Sequence, residues 1–329
     1  MHLDKTKLID ISLYLEHHEL INAHDFVVYA EKPGEGNMNY TLRVTTEEGK
    51  SLIVKQARPY VEKYPDIPAP EDRILVESKF YETIAANDFL KTHTPEILLT
   101  DKENHILVME DLGTASDYSS IYRKGSALSR SDARLCAVFI YQLHCNFKRK
   151  SHDVLMANEK LKALNHEHIF VYPFLEENGF DLDNITPGLQ SAALPYKKDQ
   201  VLKEFSIKLG EIYLSDDDTL LHGDYYPGSW LNTGNGLNVI DPEFSFYGKP
   251  EFDLGVLFAH LYLAQQSDDV IEIIDTHYKK SQGFDEILFK SFTGIEIMRR
   301  IIGLAQLPLD LSLIEKEELL KRAYNLIVN

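Results

Sequence analysis

Short apolar runs, several alternating with polar residues, fill the first third of the chain, and apolar positions at helical spacing fill the rest. Residues 8–20 read as a short helix. Asp25–Ala30 and Tyr40–Thr45 flank Pro33-Gly34-Glu35-Gly36-Asn37, a hairpin signal, and Ser51–Gln56 is a third strand. Four prolines between Pro59 and Pro70 predict a loop. From Asp72 to Phe89, Ile74, Val76, Phe80 and Ile84 recur among Glu and Lys, the pattern of an amphipathic helix. Ile97–Leu99 and His105–Met109 are two further strands around the turn Asp101-Lys102-Glu103-Asn104. Beyond Asp111-Leu112-Gly113 the character changes. Ser129–Lys148, Asp199–Leu214, Glu251–Gln266 and Asp285–Ala305 carry helical patterns, and Leu220–Asp241 is a compact stretch rich in Gly, Asn and Pro with two very short strands. This order predicts a bilobal α+β protein: a small antiparallel-sheet N-lobe over residues 1–111 and a mostly helical C-lobe over residues 112–329.

Length agrees, since 329 residues exceed what a single core usually takes. With 44% hydrophobic and 26% charged residues the composition is that of a globular chain. The formal net charge of -18 repels nucleic acid and anionic membrane, and the basic group Lys148-Arg149-Lys150 reads as a solvated helix end. Neither nucleic acid nor membrane is expected as a partner. Cys136 and Cys145 fit no zinc or disulfide spacing and suit a reducing compartment. Asp4, Asp10, Glu16 and Glu19 stand where a signal peptide would have its apolar core, and no apolar run is long enough to span a bilayer. The expected location is the cytoplasm.

Phosphoryl transfer requires a cover for the phosphates, a cation on them, magnesium ligands and a base for the attacking hydroxyl. The chain offers a candidate for each, in order. Gly34, Gly36, Asn37 and Asn39 lie in the first hairpin, where glycine lets backbone amides approach phosphate oxygens. Such a hairpin taken alone is only a turn; its place before a lysine strand gives it weight. Lys55 ends the apolar strand Leu52-Ile53-Val54, and a buried ammonium needs partners. ATP phosphates and a carboxylate of the following helix would serve, with Glu77 the expected carboxylate and Glu82 held in reserve. Met109, Glu110 and Leu112 close the N-lobe, with the Glu110 and Leu112 backbone expected to meet adenine and Met109 to pack behind the ring.

The strongest signal is Leu220-Leu221-His222-Gly223-Asp224-Tyr225-Tyr226-Pro227-Gly228-Ser229, followed by Val239-Ile240-Asp241-Pro242-Glu243. Two acidic groups beside short apolar strands predict a hairpin that aims both at one point. Asp224 is the expected base, able to take a proton from the acceptor hydroxyl. Asp241, with Glu243, offers hard oxygen ligands for Mg2+. Asp253 is expected to bond the backbone of this loop, and His144 to pack within the C-lobe.

HGD with Asn or Ser five positions on, then a second Asp, resembles the aminoglycoside phosphotransferase/choline kinase superfamily, of protein-kinase-like fold. Gly36-Asn37-Met38-Asn39, Val54-Lys55-Gln56-Ala57-Arg58-Pro59, Met109-Glu110-Asp111-Leu112, Ile240-Asp241-Pro242-Glu243-Phe244 and Glu296-Ile297-Met298-Arg299-Arg300 are similar to the 5-methylthioribose kinase branch, and the likeness spans nearly the whole chain. The resemblance implies ATP and magnesium as cofactors, Asp224 as catalytic base, Asp241 and Glu243 as metal ligands with Ser229 at the position usually held by Asn, and Arg299 and Arg300 facing the acceptor or its transferring phosphate. It departs at Glu62-Lys63-Tyr64-Pro65-Asp66, where the branch carries a tryptophan, and at Tyr225-Tyr226-Pro227; the only tryptophan here is Trp230. The expected activity is transfer of the ATP γ-phosphate to a hydroxyl of a small sugar-like metabolite such as 5-methylthioribose. The alternatives are an aminoglycoside, choline or other small-alcohol phosphotransferase, and a non-catalytic nucleotide-binding protein, for which the base would be superfluous. A homodimer is compatible with this reading.

Overall fold

A computed structural model of the chain describes residues 2–34, 36, 38–151, 153–234 and 236–329. Asn37, one of the expected phosphate-loop residues, lies outside the described residues. The chain forms two compact units. One comprises Met1–Ser116, Asp153–Leu161 and Asn232–Ser245; the other comprises Asp117–His152, Lys162–Leu231 and Phe246–Asn329. Two stretches that a continuous division at residue 111 would give to the C-lobe, one of them carrying Asp241 and Glu243, therefore group with the first unit.

The first unit is built on an antiparallel sheet of β1 (Val27–Glu31), β2 (Tyr40–Thr46), β3 (Ser51–Gln56), β6 (Ile97–Asp101) and β7 (Ile106–Glu110), in the order β1-β2-β3-β7-β6. Alternation decides its faces. Leu42, Val44, Leu52, Val54, Ile106 and Val108 point to one side and pack with Ile11, Tyr14 and Leu15 of α1 (Leu8–His17). Lys55 is one step out of phase with Val54, so it points to the opposite face, where α2 (Arg73–Ile84) packs on β6 and β7. The helix expected over Asp72–Phe89 stops at Ile84 and is followed by the short α3 (Asp88–Thr92), whose N-cap Asn87 accepts from the Leu90 amide.

The proline-rich loop expected over Pro59–Pro70 is partly ordered as a small hairpin, β4 (Tyr60–Val61) and β5 (Tyr64–Pro68). Pro65 and Pro68 are tolerated because this is a two-stranded ribbon whose outer edges need no ladder donors. The two-residue strand β8 (Ser116–Asp117) stands where the chain leaves the first unit.

Helices dominate the second unit. Among them α9 (Pro250–Leu263) is apolar nearly all round and almost wholly buried, as a central helix must be. It packs closely on α11 (Glu286–Ile302): a Cβ on Gly255 would lie 2.8 Å from Phe292 Cβ and 3.0 Å from the Thr293 amide nitrogen, so no larger residue fits there. On its other side α11 meets α12 (Leu313–Val328), which starts in a capping box of Ser312 and Glu315. The helix α4 (Arg130–Asn146), N-capped by Ser129, packs on α10 (Asp268–His277).

The short α5 (Val154–Ala157) belongs to the first unit, and α6 (Glu159–His166) runs out of it into a single π turn at Glu167–Val171. Two further helices, α7 (Leu189–Lys198) and α8 (Gln200–Leu214), complete the second unit. Strand β9 (Thr219–Leu221) pairs antiparallel with β12 (Phe246–Gly248), and β10 (Trp230–Thr233) and β11 (Gly236–Val239) run between them in sequence.

Candidate active site

In the first unit three expected residues meet. Lys55 Nζ donates to Glu77 Oε1 at 2.7 Å and also to Asp241 Oδ1. Burial alone would lower the Lys55 pKa, but Asp241 and Glu77 outweigh it and hold the ammonium well above its ordinary value. Glu77 is fully buried and its pKa is pushed upward by desolvation, against the pull of Lys55. Glu82, the reserve partner, instead faces Lys79 at 3.7 Å on the solvent side of α2. Asp241 has φ 61° and ψ 47°, a left-handed conformation that costs energy in any residue but glycine, while its side chain remains 42% exposed.

Glu243 and Asn39 are committed elsewhere. Asn39 Nδ2 donates to Glu243 Oε2 at 2.9 Å, and Asn39 Oδ1 accepts from Arg73 Nε at 2.8 Å. Arg73 Nε also lies 3.5 Å from Glu243 Oε2. Burial drives the Glu243 pKa up to about 8 although Arg73 opposes it. The buried Asn39 thus joins the glycine hairpin to the Asp241-Pro242-Glu243 turn. Gly34 and Gly36 are exposed, and among the described residues nothing crowds a Cβ at either.

Arg73 was not singled out from the sequence. It is wholly buried and also donates to the carbonyls of Arg58, Pro70, Met38 and Tyr60. Its signal was an arginine just after Pro70-Glu71-Asp72, at the start of a helix. A second missed pair anchors the strand that ends at Glu110: Asp111 accepts from Arg43 at 2.8 and 3.1 Å and from Ser51 Oγ at 2.5 Å. Met109 is buried in β7 between Ile53 and Ile97, the Glu110 amide donates to Glu96 O, and Leu112 is half-buried.

In the second unit Asp224 follows a glycine, Gly223, with φ 84°, a turn that an L side chain resists. Asp253 fixes this turn by accepting from the amides of His222 at 2.7 Å and Gly223 at 2.9 Å; His144 Nε2 approaches the same carboxylate at 3.2 Å and His144 Nδ1 meets Tyr278 OH at 2.8 Å. The expectations for Asp253 and His144 are met. Ser229 is buried and its Oγ donates to the Asp224 carbonyl at 2.9 Å. Tyr225 points into the core, donating to Cys136 O and stacking on Phe139, and Trp230 is buried against Tyr225 and Tyr118.

Both arginines reach the same carboxylate oxygen. Arg300 Nη2 lies 3.3 Å and Arg299 Nη1 3.8 Å from Asp224 Oδ1, and the Arg300 guanidinium sits 4.9 Å over the Tyr226 ring. Burial raises the Asp224 pKa, with Arg300 and Arg299 pulling against it. A carboxylate held in this way is a competent proton acceptor, and the two guanidinium forks beside it can hold oxygen-rich groups.

Residues 30–288 match the family described as phosphotransferase enzyme family. The chain belongs to that family. It is an ATP-dependent kinase that transfers phosphate to a hydroxyl of a small molecule. It is 29% identical to a methylthioribose kinase of Geobacillus sp. (strain WCH70), over 87% of this chain and 80% of that one, and 30% identical to a methylthioribose kinase of Exiguobacterium sibiricum over 84% and 80%. Among solved structures, a choline kinase from Streptococcus pneumoniae superposes with a TM-score of 0.54 at 18% identity, covering 97% of this chain and 98% of that one. A spectinomycin phosphotransferase in complex with ADP and spectinomycin superposes at 0.55 with 12% identity, covering 97% and 98%. These neighbours share its bilobal α+β fold. Among the described residues no helix is long and apolar enough to cross a membrane.

Proposed function

We propose that this kinase phosphorylates a sugar hydroxyl of 5-methylthioribose or a close relative. Asp224 takes the proton from the attacking hydroxyl, and Arg299 and Arg300 hold oxygens of the acceptor or of the phosphoryl group in flight. Lys55, oriented by Glu77, holds the α/β-phosphates of ATP, and backbone amides around Gly34 and Gly36 cover them. The observation that carries the reading is the convergence of two arginines on Asp224. Two guanidinium forks suit neutral hydroxyls and phosphate oxygens, whereas a choline or aminoglycoside cation would meet like charge beside the base.

Magnesium fits Asp241, a hard oxygen donor whose side chain stays accessible, better than Glu243, whose carboxylate is held by Asn39 and Arg73. Among the described residues no group of three or more His, Cys, Asp or Glu could hold a metal ion. Such an ion would neutralise charge on the phosphates.

The test is ATP consumption over a panel of 5-methylthioribose, other pentoses, choline and aminoglycosides, with wild type and Asp224→Asn. The expected result is turnover of methylthioribose and a fall in kcat of roughly a thousandfold or more in the variant, with ATP affinity preserved. Preference for choline or an aminoglycoside, or a variant keeping over half of wild-type kcat, would refute the reading.

A further inference from the structure

The geometry points to Glu296 as the positioning residue that gathers Arg299 and Arg300 onto one side of Asp224. Neighbouring residues on a helix project about 100° apart, so two consecutive arginines should diverge. They converge here because both fold back one turn toward the same carboxylate, three and four positions earlier on α11. Glu296 Oε2 takes Arg299 Nη1 at 3.1 Å, and Oε1 takes Arg300 Nε at 2.5 Å. Each guanidinium is thereby fixed at one edge, and other nitrogens reach on: Arg300 Nη2 to Asp224, Arg299 Nη2 to Asn165 Oδ1 at 3.3 Å.

Glu296 is itself held from behind. His260 Nε2 lies 3.1 Å from Glu296 Oε1, and His260 Nδ1 lies 2.5 Å from Tyr122 OH. A carboxylate only accepts, so Nε2 carries the hydrogen and Nδ1 accepts from the tyrosine. Burial keeps His260 neutral, its pKa lowered to about 4, and keeps Tyr122 protonated. Donation therefore runs from Tyr122 to His260 to Glu296. Charge balance points the same way. Two buried guanidiniums facing Asp224 alone would leave an uncompensated cation, and Glu296 supplies the missing anion.

This inference rests on the reading that the arginines serve the acceptor, so its test separates the two. Steady-state kinetics with ATP and 5-methylthioribose would compare Glu296→Gln, Tyr122→Phe and Arg300→Lys, with circular dichroism as the check on folding. Glu296→Gln keeps the size and an acceptor oxygen but loses the charge, and should raise the acceptor KM on the order of tenfold while the ATP KM moves by less than about twofold. Tyr122→Phe removes one hydroxyl at the far end of the chain of donors; it should shift the same parameter by roughly threefold, so the inference stays testable if Glu296→Gln misfolds. Combined with Arg300→Lys, Glu296→Gln should add much less than its separate effect. If Arg300→Lys alters neither acceptor KM nor kcat, the acceptor reading falls. If Arg300→Lys is impaired while Glu296→Gln and Tyr122→Phe lose only stability or shift both KM values equally, Glu296 is a structural ion pair and the inference is overturned.

Discussion

Lys55 and Glu77 meet at 2.7 Å between Nζ and Oε1, with the glutamate wholly shielded from water. Truncating one member of a buried pair leaves the other charge uncompensated, a loss of about 3–5 kcal/mol. Asp241 shares the ammonium and offsets part of that. Glu77→Ala should therefore lower stability by about 2–4 kcal/mol in urea titrations and weaken ATP binding as Lys55 loses its aim. A change below about 1 kcal/mol with unaltered ATP affinity would mean that Glu77 neither orients nor supports Lys55.

Asp241 and Glu243 should separate in their effect on the nucleotide. Asp241→Asn removes the accessible carboxylate and should weaken Mg-ATP binding on the order of a hundredfold by calorimetry. Glu243→Gln should cost much less there, since that carboxylate is spent on Asn39 and Arg73. Equal losses would place both residues on the metal.

Arg73 tests whether the first unit depends on one guanidinium. Lysine keeps the charge but cannot reach the carbonyls of Arg58, Pro70, Met38 and Tyr60 together. Arg73→Lys should cost about 3 kcal/mol or more by urea denaturation, through buried acceptors left unpaired. A cost under about 1 kcal/mol would show that water or a repacked loop replaces them.

His260 gives stability a pH dependence with a definite sign. Its folded-state pKa is lowered from 6.5 to about 4, mainly by burial. Between those values the unfolded chain binds the proton and the folded chain does not, so stability falls as pH drops through that window, by up to about 1.4 kcal/mol per pH unit. His260→Gln should flatten this slope, read as Tm against pH. An unchanged slope would assign the dependence to other groups.

The strands and the main helices were legible because periodicity is a local signal, and short motifs singled out Lys55 and Asp241, which the structure brings together, and Asp224, which it sets beside two arginines. Ser51–Gln56 and the helices near 130–146 and 286–302 lie where the pattern puts them, within a few residues at the ends. The segment from Asp153 to Lys198 was not read. It is broken into short helices and a π turn, and α7 carries Pro195 in its interior, so no single period runs through it. The helix α12 could have been found from Ser312 and Glu315, whose spacing is that of a capping box. The roles of Arg73, Glu243 and Glu296 were hidden for another reason. Arg73 and Glu243 depend on contacts remote in sequence, such as Asn39 with Glu243, and although Arg299 and Arg300 lie within one turn of Glu296, its contact with His260 is remote as well.

Asp253 sits in the first turn of α9, yet the amides it holds belong to His222 and Gly223. An amide exchanges its hydrogen with solvent only when the structure that protects it opens. Both amides donate to the Asp253 carboxylate, so the slowness of their exchange is borrowed from a helix about thirty residues downstream. Deuterium should enter these two amides together with the start of α9, making the loop before Asp224 part of the same cooperative opening unit as the central helix.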